Sequence, residues 1–193
     1  YSDLNQVSKI KAFLKNDRGQ IVKKLKKNDI RERSAISDIS FYEDNYIKEF
    51  NLKHNTYPYT LNYSYESRQK EFLFIDHWIP VIDYEIPTHN ASLNLKTPKS
   101  YKISFEDRFI KEFKKDSAES EYSYSWKTSY KDLIMPEIYS PPPENFLPGV
   151  RIVPWNFKYD IKGTLESWIT FGNWQNELLE GLSDLDQNEK NRI

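Results

Sequence analysis

Residues 57–65, Tyr57-Pro58-Tyr59-Thr60-Leu61-Asn62-Tyr63-Ser64-Tyr65, decide the fold class of this chain. Large side chains occupy every odd position, and small or polar side chains occupy most even positions. Because neighbouring side chains of a β-strand point to opposite faces, this alternation predicts a strand with one buried face. Proline has no backbone N–H to donate to a neighbouring strand, so Pro58 places the start of this strand near a sheet edge.

Similar patterns recur along the chain and predict further strands. The segments 10–14 and 21–25 flank the loop 16–20, and a short Asn/Asp/Gly loop between two such runs predicts a β-hairpin. Aromatic residues make up 16% of the chain, which favours strands over helices. Roughly nine or more short strands at this spacing predict a mainly all-β fold, an antiparallel β-sandwich. The other predicted strands cover residues 46–50, 72–76, 91–95, 101–105, 122–128 and 151–154.

Helical patterns are few. The segment 164–180 predicts a short C-terminal helix with a break near Gly172, and Trp174 and Leu178 share one face of it because they lie four residues apart. A further turn of helix is predicted over residues 28–33.

Proline and tryptophan suggest how the chain is organised. Prolines at 136, 141–143 and 148 predict a stiff extended connector, and residues 148–181 then hold three of the five tryptophans. We therefore predict a β-sandwich body over residues 1–147 and a closing segment with a helix of the same domain over 148–181. Residues 182–193 are predicted to be a polar linker toward a downstream domain.

Composition excludes several classes of function. The chain has no cysteine, which excludes a disulfide framework, a thiolate metal site and a cysteine nucleophile. The formal net charge of −1 gives no electrostatic reason to expect nucleic acid or an anionic membrane surface as a partner. No apolar run reaches the roughly 18–20 residues that a membrane-spanning helix needs.

Catalytic and cofactor motifs are missing from the sequence. The histidines His54, His77 and His89 do not have metal-ligand spacing, and Asp76 beside His77 would point to the opposite face of a strand. There is no nucleophile elbow, phosphate-binding loop or dinucleotide-binding turn. A glycosidase-like carboxylate pair stays open, although a solvated surface accounts better for the 29 acidic residues. We predict that the chain is not an enzyme and binds no cofactor or metal.

The aromatic residues have two interpretations. Exposed Trp and Tyr rings on a β-sandwich can stack against sugar rings or a peptide, and the candidates for such a ligand platform are Trp78, Trp126, Tyr59 and Tyr63. The alternative, which we favour, is that these rings form the core and the sheet faces. Cross-strand aromatic pairs of that kind contribute roughly 0.2–1 kcal/mol each.

The order of motifs resembles a bacterial domain of unknown function that typically precedes a transglutaminase-like core in exported or envelope-associated proteins. The resemblance covers nearly the whole chain, and the ordered set is more specific than any one motif. It rests on residues 10–25, 40–46, 57–66, 77–80, 95–98, 124–126, 148–154, 157–159, 163, 167–168, 172–174 and 178–181.

This resemblance implies an immunoglobulin-like β-sandwich that forms the N-terminal module of a larger periplasmic or exported protein. In that family the Cys-His-Asp machinery belongs to the downstream domain, so no catalytic residue carries over to this chain. One implied function is an accessory module that packs on or orients the downstream domain through Trp155, Phe157, Trp168 and Trp174. The other is a module that binds envelope glycan or peptide through the ligand platform.

Overall fold

The first hairpin is built by the loop that the sequence predicts. The side-chain oxygen of Asn16 accepts a hydrogen bond from the backbone N–H of Gln20 at 2.9 Å, and Gly19 has φ of +76°. Glycine suits this backbone conformation because it has no Cβ to clash. Strand β1 (Asn5–Asn16) therefore turns back to pair antiparallel with β2 (Ile21–Lys24), as predicted.

The structure is a computed structural model that describes residues 5–35, 46–83, 85–132, 134 and 138–180. In this part of the chain, thirteen strands form antiparallel sheets and one α-helix lies near the C-terminus, which confirms the predicted fold class. The chain divides into unit 1 (Tyr1–Glu71) and unit 2 (Phe72–Ile193). The sequence analysis placed no boundary there, and its own division between residues 147 and 148 stays a prediction.

Unit 1 contains two antiparallel sheets. The first has the order β2–β1 followed by β5 (Tyr59–Gln69), so the strand predicted from residues 57–65 is confirmed and lies at a sheet edge. The second sheet pairs β3 (Arg31–Ser34) with β4 (Tyr46–Glu49). The core of this unit is small, and its buried residues are Ala12, Leu14 and Leu52.

Unit 2 contains a β-sandwich made by six strands. These are β6 (Asp76–Trp78), β7 (Thr88–Pro98), β8 (Ile103–Arg108), β9 (Glu112–Ser117), β10 (Glu121–Tyr130) and β11 (Gly149–Pro154). One sheet has the order β7–β10–β9 and the other the order β6–β11–β8. Tyr124 and Trp126 of β10 meet Val150 and Ile152 of β11 in one buried cluster, so the two sheets pack face to face.

A hairpin and a helix complete the described part of unit 2. Strand β12 (Asn156–Tyr159) pairs with β13 (Ile161–Thr164), and helix α1 covers Trp168–Leu178. The hydroxyl oxygen of Ser167 accepts a hydrogen bond from the backbone N–H of Thr170 at 3.1 Å, which caps the helix start.

The predicted break of the helix near Gly172 is wrong, because α1 is continuous through this residue. A glycine inside a helix costs about 0.5–1 kcal/mol relative to alanine. Packing of Trp174 offsets this cost, because its side chain, two residues further along the helix, is buried in unit 2.

Two other predicted elements differ from the structure. Residues 31–34 form strand β3 instead of continuing a helical turn, and only Lys27–Asp29 forms a short 3₁₀ helix. The strand predicted over residues 72–76 begins at Asp76, and Phe72 forms only an isolated bridge with Lys158.

Strand β9 was not predicted, because all its side chains are exposed and its sequence has no alternation. It forms through backbone pairing with β10.

Candidate functional site

Two of the predicted interface residues, Phe157 and Trp174, belong to the core of the closing segment. Their rings meet edge to face with centroids 5.0 Å apart, and both side chains are buried. Gly163 lies against them so closely that an added Cβ would be 2.7 Å from Trp174 Cδ1. The glycine is therefore required for this packing, and neither ring is available to a partner.

Trp155 is also held within unit 2. Its indole N–H donates a hydrogen bond to the hydroxyl of Ser104 at 2.7 Å, and the Lys102 ammonium lies 5.1 Å from the centre of its ring. These contacts fix the half-buried ring against the start of β8, so Trp155 offers at most one face to a partner.

Trp168 is placed differently from the other three candidates. Its side chain is 88% exposed, its neighbour Ile169 is 77% exposed, and Leu179 just after the helix is 57% exposed. Trp168 and Leu179 lie about three helical turns apart and so share one side of α1, with Gly172 between them. We call Trp168, Ile169 and Leu179 the outer face of α1.

The structure rules out Trp126 as a platform residue. Its side chain is fully buried, its ring stacks on Tyr124 with centroids 5.8 Å apart, and its N–H donates to Asp107 Oδ2 at 3.1 Å. The alternation of β10 points this ring inward between the two sheets. Trp78 is half-buried and packs against the same core. The core interpretation therefore applies to both tryptophans.

The tyrosines of β5 extend from the core of unit 1 to its surface. Tyr59 packs against the small buried cluster, and a hydrogen bond with Tyr57 raises the pKa of Tyr59. Tyr63 and Tyr65 are each 58% exposed, so the buried face predicted for this strand is wrong beyond its first residues.

Tyr63 and Tyr65 line a groove of about 490 Å³. We call it the tyrosine groove, and its other main lining residues are Val7 and Ile10 of β1 and Tyr46 and Ile47 of β4. Sequence reasoning found Tyr63 through its alternation. It missed the contributions of β1 and β4, because these strands belong to two different sheets and only the folding of unit 1 brings them to the same place.

Comparison with protein-family models identifies the family of this chain, since the model of one family matches residues 1–133. The chain belongs to the DUF3857 family. This family is a domain of unknown function, as the motifs had suggested, and the match ends before the proline connector and the closing segment. Searches of curated proteins and of solved structures find no match to the chain.

In unit 2 of this DUF3857 chain, two described carboxyl groups have shifted pKa values. Burial raises the pKa of Asp76, which is on β6, whereas His77 beside it is exposed. The hydrogen-bonded Arg108 guanidinium lowers the pKa of Glu106. Among the described residues, no group of three His, Asp or Glu side chains is arranged to hold a metal ion. No described helix is long and apolar enough to cross a membrane.

Proposed function

We propose that this chain is a non-catalytic accessory module that packs against a partner domain through the outer face of α1. The observation that supports it most is the exposure of Trp168 and Ile169 on a helix whose opposite side is already packed. A surface helix normally has one apolar face, and a helix that is apolar on two sides is typical of burial between two bodies. An exposed tryptophan on such a surface is the residue type most enriched among binding hot spots.

The proposed partner is a transglutaminase-like domain that follows in the same protein, in the periplasm or outside the cell. This part of the proposal comes from the resemblance of the motifs. Helix α1 is the last described element, so its outer face would lie close in sequence to a domain that followed in the same protein. A partner held at such short range needs little affinity of its own, because the linkage gives a high effective concentration.

Hydrogen exchange tests this interface. We expect the backbone amides of α1 to exchange more slowly in the longer protein than in this chain alone, because the partner covers the outer face. When the downstream domain is added as a separate chain, Trp168→Ala should weaken its binding by tenfold or more, which corresponds to about 1.4 kcal/mol or more.

Phe74→Ala is the matched control, since Phe74 is another exposed aromatic residue of unit 2 outside α1. It should leave both measurements unchanged. Equal amide exchange in the two proteins, together with no effect of Trp168→Ala, would overturn the proposal.

The tyrosine groove favours a second candidate function, the binding of an envelope glycan or peptide. Two exposed tyrosines beside an apolar floor offer ring faces for stacking and hydroxyls for hydrogen bonds. This function uses unit 1 alone. Binding of a glycan or peptide that is lost in Tyr63→Ala but kept in Trp168→Ala would separate it from the first proposal.

A further inference from the structure

We infer that unit 1 binds an extended acidic peptide, which adds as a strand to the edge of β5 and places its side chains in the tyrosine groove. The inference rests on the ligand-binding candidate function and does not depend on α1.

The backbone of β5 has a free edge. This strand pairs with β1 on one side, and no described strand pairs with its other side. It runs from Tyr59 to Gln69 without a proline, so its outer N–H and C=O groups form a long row, and its pairing with β1 is irregular only between Ser8 and Lys11. Such an edge is the site at which an extended peptide adds to a sheet through main-chain hydrogen bonds.

The side chains next to that edge form an exposed apolar row. Leu61, Tyr63 and Tyr65 alternate along β5, so all three lie on one face of the sheet, and each is more than two-fifths exposed. An added strand would put every second side chain on this same face. Its apolar side chains would then cover rings that are now in contact with solvent, which is a favourable burial.

Lysines lie along a groove that adjoins the tyrosine groove. The tyrosine groove continues into a second groove of about 520 Å³, because Val7, Ile10 and Lys48 line both. The charged residues that line this second groove are Lys9, Lys26, Lys27, Lys48 and Glu32.

These four lysines are only partly neutralised. Lys9 pairs with Glu66 at 2.8 Å, and Lys48 lies 3.9 Å from Glu32. Lys26 and Lys27 have no ion-pair partner in the described part of the chain. Lys26 and Lys27 follow β2, across β1 from the free edge of β5, so their positive charge favours a ligand with acidic side chains through longer-range attraction. A neutral glycan would use neither these lysines nor the strand edge, so a peptide accounts for more of the surface.

Fluorescence anisotropy with the whole chain tests the inference. The probe is a fluorescein-labelled peptide of repeating Glu-Ser-Val-Ser, in which glutamate and valine side chains fall on the same face of a strand. It is compared with a Lys-Ser-Val-Ser peptide and with the acidic peptide N-methylated at alternate residues. We expect only the unmethylated acidic peptide to bind, because N-methylation removes the main-chain donors that the edge of β5 would use.

Variants of the protein assign the binding to the two grooves. Tyr63→Ala, and separately the double variant Lys26→Glu with Lys27→Glu, should each weaken binding by about tenfold. Lys114→Glu on the exposed strand β9 of unit 2 is the control for charge and should have no effect. Circular dichroism of each variant verifies that the fold is kept.

The alternative outcomes are distinguishable. Equal binding of the lysine peptide or of the methylated peptide would overturn the inference, as would unchanged binding in Tyr63→Ala. Binding of polygalacturonate with no binding of the acidic peptide would also overturn it, while leaving the ligand-binding candidate function in place. Failure of both probes to bind would count against the inference and against that candidate function.

Discussion

Units 1 and 2 are built from the same kind of antiparallel strand, yet they bury very different side chains. In unit 2, Trp126 is fully buried and its ring lies 5.1 Å from Phe105 and 5.8 Å from Tyr124, between centroids. In unit 1, the buried cluster consists of Ala12, Leu14 and Leu52, and the large rings of β5 lie mostly outside. Alternation along a strand thus sets which side chains share a face, and only an opposing sheet makes that face a core.

The comparison can be measured with probes that the chain already contains. All five tryptophans, Trp78, Trp126, Trp155, Trp168 and Trp174, lie in unit 2, so tryptophan fluorescence reports on that unit. Hydrogen exchange of strand amides reports on both units separately. We therefore expect core variants of each unit to be distinguishable within the intact chain.

The largest effect should come from Trp126→Ala. Removing this fully buried ring leaves a large cavity and takes away the donor to Asp107, so the free energy of unfolding should fall by about 3–5 kcal/mol. Urea unfolding followed by tryptophan fluorescence measures it. Trp168→Ala, which removes an exposed ring, should change the stability by less than about 0.5 kcal/mol. Equal losses in the two variants would contradict the assignment of Trp126 to the core.

A smaller effect is expected from Leu14→Ala in unit 1. Leu14 is fully buried, but its cluster is small and has half-buried neighbours that can move into the space, so we expect a loss of about 2–3 kcal/mol. The measurement is faster hydrogen exchange in β1 and β5. Ile21→Ala on the exposed strand β2 is the control. If the amides of β10 and β11 lost protection to the same extent, the two units would unfold together and the comparison would fail.

A smaller effect than that of Leu14→Ala is expected from Asp76→Asn. Burial raises the pKa of Asp76, so the folded chain binds this proton more tightly than the unfolded chain. The stability contributed by the protonated form is full below the ordinary carboxyl pKa of about 4 and is lost as the pH rises through the raised pKa.

Asparagine removes this titration, so Asp76→Asn should be more stable than the parent chain at neutral pH, by at most about 1 kcal/mol after screening by solvent. The difference should vanish in acid. Thermal unfolding over a pH series measures it, with Asp116→Asn on the exposed strand β9 as control. A constant difference at every pH would show that desolvation of Asp76 is not its cause.

Local chemistry accounts for the parts of the fold that were predicted correctly. The loop 16–20 needed only the side-chain acceptor of Asn16 and the permissive backbone of Gly19. Strand β10 needed only the alternation of its aromatic residues, Tyr122, Tyr124 and Trp126, with small or polar residues. Strands β3 and β9 were not predicted, because their side chains are all exposed and the information that places them lies in their partner strands.

The candidate sites were predictable to a lesser degree. Sequence reasoning named Trp168 and Tyr63, which are exposed, but it grouped them with Trp174 and Trp126, which are buried. Nothing in the residue type separates these pairs. Lys26 and Lys27 were not identified, because their contribution depends on a groove whose walls come from three different strands.

The sequence by itself determined the mainly β architecture, the first hairpin and the absence of cysteine chemistry, since each follows from local backbone preference or from composition. The tertiary structure alone decided which aromatic rings face another sheet and which face solvent. The physical reason is that burial is a property of two surfaces brought together, and the second surface is distant in sequence. That is why Trp126 stabilises the fold of unit 2, whereas Trp168 and Tyr63 lie on surfaces that face solvent.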